Sequence, residues 1–391
     1  MGSVDRIESI KDAARSTVER ATDSLVGLSH SIHAEPETSF EEVRSSAKVA
    51  EALSKGGFDV VTGVCDLPTA FIATAGHGPL NIAICAEYDA LPDIGHACGH
   101  NIIAAAAVGA GMALAGVADE LGITVKVMGT PAEEGGGGKI LMLEGGAFDG
   151  INASMMVHPA PVEMAFMKCL AVSHFDVHFR GKQAHASAFP EEGVNAADAI
   201  TLSQVGIGLL RQHLRQSDQV HGIVTRGGEA PNIVPGHASA KYYVRAATIE
   251  ALERLEPRIR KCFEAGALAT GASMELIHQS PHYSHFEPDP DMTETFQRNA
   301  RALGRTYPPV PERPMGGSTD MANLSLVMPA IHPMLGIDSL PAVNHQPEFA
   351  AACTTPVADQ AVIDGAVAMA WTTVDLSTDE TERTRLLAKA V

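Results

Sequence analysis

The sequence predicts an α/β protein with a smaller α+β domain set into it, and three observations carry that reading. From about residue 58 to 157, apolar runs of strand length alternate with helix-period segments, the pattern of a mainly parallel sheet with helices on both faces. From Ala171 to Arg180 the pattern changes: His174, Asp176, His178 and Arg180 alternate with apolar residues, as on an antiparallel sheet with one wet face. The α/β pattern then resumes near residue 285. A length of 391 residues favours two domains by itself. The expected division is one domain over 1–169 and 285–391, with the second inserted over 170–284.

Taken in order, apolar positions at helical spacing over 4–30 predict a first helix. His33-Ala-Glu-Pro-Glu37 ends it, because Pro36 cannot continue the hydrogen-bond ladder. A second amphipathic helix is expected over Glu41–Lys55, closed by Gly56-Gly57. Strands at 58–64 and 69–75 lead to a buried strand at 80–85. The Ala/Gly-rich run Ile102–Ala118 reads as a buried helix. Its 17 residues sit at the short edge for a membrane span, and it follows a polar motif directly. A strand at 123–129, a loop at Pro131–Gly138, a helix to about Glu144 and a strand at 153–157 complete this part.

The inserted segment reads as strand 171–180, helix 192–216, strands 219–226 and 237–246, helix 249–266 and strand 273–279, a two-layer β-α-β-β-α-β unit. A helix at 291–304, a Pro-rich loop at 308–314, a helix beginning at Gly316-Gly-Ser-Thr-Asp320, a strand near 331–337, a loop carrying His345 and two closing helices follow.

Composition excludes several function classes. Hydrophobic residues make up 45% and charged residues 19% of the chain, which is globular rather than disordered. The formal charge of −19 argues against nucleic acid or an anionic membrane as partner, since both need basic surface. The six cysteines are scattered, unlike the framework of a small secreted domain, so free thiols in a reducing compartment are expected. Cys85 and Cys353 lie in apolar runs and are expected in the core. The first residues lack the basic and apolar regions of a signal peptide. The reading is a cytoplasmic protein.

The densest chemistry lies over 84–104, where Glu87, Asp89, His96, Cys98 and His100 follow an apolar strand. Ligand sites in open α/β sheets collect at the C-terminal ends of strands. Three later segments repeat that placement: Pro131-Ala-Glu133-Glu134, His158-Pro159, and His345 in Pro-Ala-Val-Asn-His-Gln-Pro. Paired Glu133-Glu134 suits a division of labour, in which one carboxylate binds metal and its neighbour takes a proton from an activated water. Imidazole and thiolate suit zinc, while carboxylates also admit manganese or cobalt. Gly135–Gly138 does not read as a phosphate loop, because no Lys-Ser/Thr follows in frame. His33, His174, His178, His237 and His278 show no partner pattern.

These residues resemble the dinuclear-metal peptidase and amidohydrolase family that includes aminoacylase-1, the glutamate carboxypeptidases and the indole-acetyl-amino-acid hydrolases. Asp89-Ala-Leu-Pro followed by His96-Ala-Cys-Gly-His100 is similar to the branch in which a cysteine enters the metal site. The resemblance covers nearly the whole chain. It implies Cys98, His100, Glu134, His158 and His345 as ligands of two divalent ions per subunit, zinc first. It implies Glu133 as general base, while Asp89, beside the motif, is expected either to orient a ligand or to cap a turn. The inserted segment resembles the family's dimerisation or lid domain. Gly181-Lys-Gln-Ala-His185-Ala matches the motif whose histidine reaches the partner subunit's active site, where it stabilises the oxyanion. Asn232 and Arg245 match positions that hold the substrate's carboxylate. The chain departs from the branch's common pattern in two places: Asn101-Ile102-Ile103 stands where Asp-x-His is usual, and Glu87 where Asp is usual. Both departures resemble the sub-branch of β-alanyl-lysine-type dipeptidases and p-aminobenzoyl-glutamate hydrolase subunits.

The resemblance implies a metal-dependent amidohydrolase acting on an N-acyl amino acid or dipeptide, assembled as a homodimer or a higher assembly of dimers. Deacylase and dipeptidase both remain open. A single-metal aminopeptidase-like enzyme is the nearer rival, and a non-catalytic binding module the more remote one.

Overall fold

The computed structural model describes residues 3–308 and 317–391. The chain divides into two compact units, Met1–Lys168 with Phe286–Val391, and Cys169–His285. The greater part of the Pro-rich loop expected at 308–314, and Gly316, lie outside the described residues.

The first unit opens with α1 (Ser3–Arg20) and α2 (Thr22–His33), where the sequence predicts one helix; the break falls at Ala21, with φ −91° and ψ 0°. Then come α3 (Val43–Lys55), β1 (Asp59–Thr62), β2 (Phe71–Ala75) and β3 (Leu80–Ala86). The Ala/Gly-rich run forms α4 (His100–Ala115) and the short α5 (Ala118–Leu121). After these come β4 (Ile123–Gly129), α6 (Gly138–Glu144), β5 (Ala153–Met155) and β6 (His158–Ala160).

The second unit contains β7 (Ala171–Arg180), α7 (Ala196–Leu210), β8 (Gln219–Arg226), β9 (His237–Ala246), α8 (Ile249–Thr270) and β10 (Ser273–His278). The helix expected to begin near 192 starts at Ala196, because the Asn195 side chain accepts hydrogen bonds from the Ala197 and Asp198 amides.

The first unit then resumes with α9 (Pro290–Ala302), α10 (Met321–Ser325), β11 (Ala330–Ile331), β12 (Met334–Gly336), α11 (Pro347–Ala352), α12 (Pro356–Thr378) and α13 (Glu380–Leu387). One strand expected over 331–337 is two. Pro333 lies between them and has no amide N–H for a ladder.

The main sheet runs β1-β2-β4-β3-β5-β11. β3 pairs in parallel with β4 and β5, and β5 in parallel with β11, while β1, β2 and β4 pair antiparallel. This is the α/β architecture that the alternation predicts. Because β3, β4 and β5 are parallel, the loops after Ala86, Gly129 and Met155 leave from one edge. β6 pairs in parallel with β12 in a small second sheet, starting at His158 opposite Met334.

The core joins Ile82 and Ile84 of β3, Val125 and Val127 of β4, Ile102 and Val108 of α4, and Val362 and Val367 of α12. Small residues in α4 permit this closeness: a Cβ at Gly109 would lie 2.8 Å from the Ala366 Cβ of α12. α4 is therefore a buried helix, and among the described residues no helix is long and apolar enough to cross a membrane. Among the described residues the cysteines form no disulfide, and Cys85 and Cys353 are buried.

In the second unit the four strands run β10-β7-β9-β8, all antiparallel. One face packs Phe175, Val177 and Phe179 against Leu252, Ile259 and Phe263 of α8. β8 is an edge strand and carries exposed Ile223 and Val224.

Candidate metal centre

The loop after β3 carries Glu87 and Asp89, both buried. It turns through Gly99, whose φ of +78° favours glycine. A Cβ at that position would lie 2.3 Å from Pro159 Cγ, so residue 99 must be small for the His158 strand to approach. His100 then opens α4. The loop after β4 holds Glu133 and Glu134 behind Ala132, which has φ +57°. The Glu42 carboxylate ties this strained residue down by accepting the Ala132 amide at 2.9 Å. The loop after β12 carries His345, itself at φ +69°. Its amide donates to Ala97 O at 2.8 Å, docking it on the Cys98 loop.

These loops bring the five expected ligands together as two groups of three. Cys98, His100 and His158 offer ligand atoms within 4.8 Å of one another, and so do Cys98, Glu134 and His345. Cys98 belongs to both groups. A third group joins Glu87, His100 and Glu133. The ring orientations suit ligation. His158 donates Nδ1–H to Pro159 O at 2.7 Å, which leaves Nε2 3.5 Å from Cys98 Sγ. Asp89 lies 3.0 Å from His100 Nδ1 and accepts the Glu134 amide at 3.0 Å. It orients one ligand and anchors the backbone of another, which is positioning work.

The electrostatics fit a cation. Glu87 Oε2, His100 Nε2 and Glu134 Oε1 are buried atoms without a directed hydrogen bond among the described residues. Burial depresses the His100 imidazolium, but Asp89 and Glu87 outweigh it and hold its pKa well above the usual range, so the pocket favours positive charge. Burial and the Glu134 carboxylate push the Cys98 thiol up, so the thiolate needs a cation beside it. Burial, assisted by His100, lowers His158 to about 4, which leaves the neutral, ligating form. The adjacent Glu134 raises His345. Burial, Glu87 and Glu134 push Glu133 well above the carboxylate range, the direction a general base requires.

Sequence reasoning missed the support beneath this cluster. Lys139 is fully buried and bridges Glu87 Oε1 and Asp320 Oδ1 at 2.5 and 2.7 Å. Burial disfavours its charge, but Asp320 and Glu87 together hold it protonated. The one available signal was a lone lysine at the head of the apolar run Ile140-Leu-Met-Leu143. A Cβ at Gly138 would meet Pro131 O at 1.9 Å, so glycine there lets the Lys139 helix abut the Glu133 loop. His332, buried with its ring centroid 5.2 Å from that of His158, was also missed. His96 is buried and stands in neither ligand group. Asn101 donates to Ser29 Oγ and Cys353 O, a structural use of the position where the common pattern has Asp.

The remaining expected residues belong to the second unit. His185 is exposed, and its Nδ1 accepts from the Ser187 and Ala188 amides at 3.3 and 3.2 Å. A neutral ring therefore carries its proton on Nε2 as an outward donor. Asn232 lies beside it: Ala186 donates to Asn232 O at 3.0 Å. Arg245 is half-buried on β9, 5.9 Å from the Tyr243 ring centroid.

The sequence profile of peptidase family M20/M25/M40 matches residues 83–358, a span that includes every residue of both ligand groups. The chain belongs to this family. It is a metal-dependent hydrolase of carbon–nitrogen bonds. It is similar to the Xaa-Arg dipeptidase of Mus musculus, with 36% identity over 96% of this chain and 90% of the relative. It is also similar to a p-aminobenzoyl-glutamate hydrolase subunit of Escherichia coli K12, with 35% identity over 68% of this chain and 59% of that protein. A Bacillus subtilis protein described as a dinuclear metal-binding M20 peptidase shares the fold, with a TM-score of 0.62, 24% identity, and coverage of 89% of this chain and 98% of its own. The sub-branch that Asn101 and Glu87 suggest agrees with these M20 relatives.

Proposed function

We propose that this M20 chain hydrolyses the amide bond of a dipeptide or an N-acyl amino acid, with Glu133 as general base. The observation that carries the reading is the convergence of five ligand side chains into two groups sharing Cys98, with buried Glu133 alongside. Cys98, His100 and His158 would hold one divalent ion and Cys98, Glu134 and His345 the second, which makes Cys98 the shared ligand. Bound there, two divalent ions, zinc first and manganese or cobalt as alternatives, supply Lewis acidity and bring a water's pKa toward neutrality. Glu133 takes the proton from that water as it attacks the carbonyl and passes it to the leaving amine. Asp89 holds His100 in one tautomer. His185 of a second subunit, with its Nε2–H outward, donates to the tetrahedral oxyanion. Asn232 and Arg245 anchor the substrate's carboxylate.

The homodimer is part of this reading. Edge strand β8 with Ile223 and Val224, and exposed Leu202, Val205 and Leu209 of α7, offer apolar surface for a second copy. Among substrates, full-length similarity to an Xaa-Arg dipeptidase favours a dipeptide. The net charge of −19 favours a cationic one. A β-alanyl dipeptide, p-aminobenzoyl-glutamate and N-acetyl amino acids are the alternatives to include. A cytoplasmic location fits cysteines that form no disulfide among the described residues.

The test is a hydrolysis screen of these substrate classes with metal-reconstituted protein and its Glu133→Ala variant. The variant should fold and bind metal yet lose most turnover; turnover near that of the wild type sinks the assignment. About one ion per active site at full activity would favour the single-metal rival.

A further inference from the structure

The second unit gathers metal-capable side chains of its own. Glu256 projects from α8, His278 ends β10, and His282 follows in the segment leaving the unit. Their ligand atoms lie within 4.8 Å of one another. His278 Nε2 is 2.7 Å from Glu256 Oε1, and His282 Nε2 is 2.9 Å from Glu256 Oε2. Both imidazoles therefore turn the same nitrogen toward one carboxylate. The two rings stand edge to face, with centroids 5.4 Å apart.

We propose that Glu256, His278 and His282 form an auxiliary divalent-cation site, separate from the catalytic ligands and selective for zinc-like ions. The proposal does not depend on the amide-hydrolysis reading.

Four features support it. Two imidazoles and one carboxylate are the donors borderline ions prefer, and three protein ligands leave a position for water. The Glu256 carboxylate presents Oε1 to His278 Nε2 and Oε2 to His282 Nε2, so both of its oxygens face imidazole nitrogens. The carboxylate stays ionised: against its burial, His282 and His278 hold Glu256 down to about 2. Glu253 adds further negative charge around His282. Finally, the side chains of His278 and His282 are 38% and 31% exposed, which gives an ion access.

The geometry needs little adjustment. Tetrahedral zinc with bonds of about 2.0–2.1 Å keeps its donors roughly 3.3 Å apart. Each pair need open only by about half an ångström, which a rotation of the two partly exposed rings supplies. The ion would join three stretches of one unit: α8, the end of β10, and the 279–285 segment. It would brace the exit of the inserted unit rather than perform chemistry. Glu256 lies 22 residues before His278 and is brought in by packing.

The experiment uses the full chain, stripped of metal and re-equilibrated with zinc at buffered free concentrations from nanomolar to low micromolar. Bound zinc is counted by elemental analysis, and cobalt is substituted in parallel to follow its d–d absorption. The wild type should hold one zinc equivalent more than His278→Ala/His282→Ala, and the variant should lack one component of the cobalt spectrum. Zinc should slow amide hydrogen exchange over 273–285 in the wild type only. Should the double variant fail to fold, Glu256→Gln decides, with the same loss of one equivalent expected. Equal stoichiometry and exchange in the wild type and the folded variant overturn the proposal. Occupancy confined to free zinc above the buffered range overturns it as well, because the binding is then adventitious.

Discussion

Among the described residues, metal-capable clusters of imidazole and carboxylate stand in two places built on opposite terms. At the first cluster, Glu87, Asp89 and His100 are fully enclosed. Their excess negative charge is balanced inside the protein by buried Lys139. At the second cluster, Glu256 meets two partly exposed histidines, and solvent shares the screening. The first arrangement carries a desolvation cost offset by charges inside the protein, whereas the second is an ordinary ion-pair network until a cation arrives. Burial therefore decides how much each ion pair matters, since the same Coulomb attraction is far stronger where water is excluded.

Lys139→Met is the hardest blow to that contrast. It leaves Glu87 and Asp320 as buried acids without their cation, and breaking such a pair costs about 3–5 kcal/mol. A shift in denaturant midpoint corresponding to less than about 1 kcal/mol would place Lys139 on the same footing as a surface pair.

A comparable loss, read in rate rather than stability, is expected of His185→Ala. Removing one oxyanion donor costs about 10²–10³ in kcat. Mixing His185→Ala subunits with Glu133→Ala subunits should recover part of the activity through hybrid dimers. No recovery, with subunit exchange demonstrated by mass, would rule out the donor acting across the dimer.

The smallest effect is at the second cluster. The folded Glu256 carboxyl sits near 2 against an ordinary value of 4.5. A depressed carboxyl stabilises the fold above its unfolded pKa, and that stability is lost as pH falls from 4.5 toward 2. After screening by solvent the contribution is about 1 kcal/mol. Glu256→Gln should flatten this part of the acid-stability curve for metal-free protein; an unchanged slope would show that the His278 and His282 contacts contribute nothing.

Much of the first cluster was legible because its donors follow strands. Cys98, His100, Glu133, Glu134, His158 and His345 each sit in or beside a loop after an apolar run, and parallel β3, β4 and β5 send their loops out along one edge. The support was less legible. Lys139 reaches Asp320 across 181 positions, and no periodicity within either element announces such a pair. The partner of His278 is not legible in the sequence, because its carboxylate lies on a different element. The broken strand near Pro333 and the two helices at the start show the same limit on a smaller scale, since hydrophobic periodicity marks extent but not interruption.

The sequence by itself determined the class of fold, the identity and order of the metal-capable residues, and the family. Those follow from the period of apolar residues and from which side chains stand at strand ends. Only the tertiary structure decided that Cys98 stands in two ligand groups, that a lysine sits beneath the cluster, and that Glu256 meets two histidines. Each depends on side chains from distant elements facing one another across a packed interior. Local patterning reports which face of an element is buried, not which residue waits on the other side.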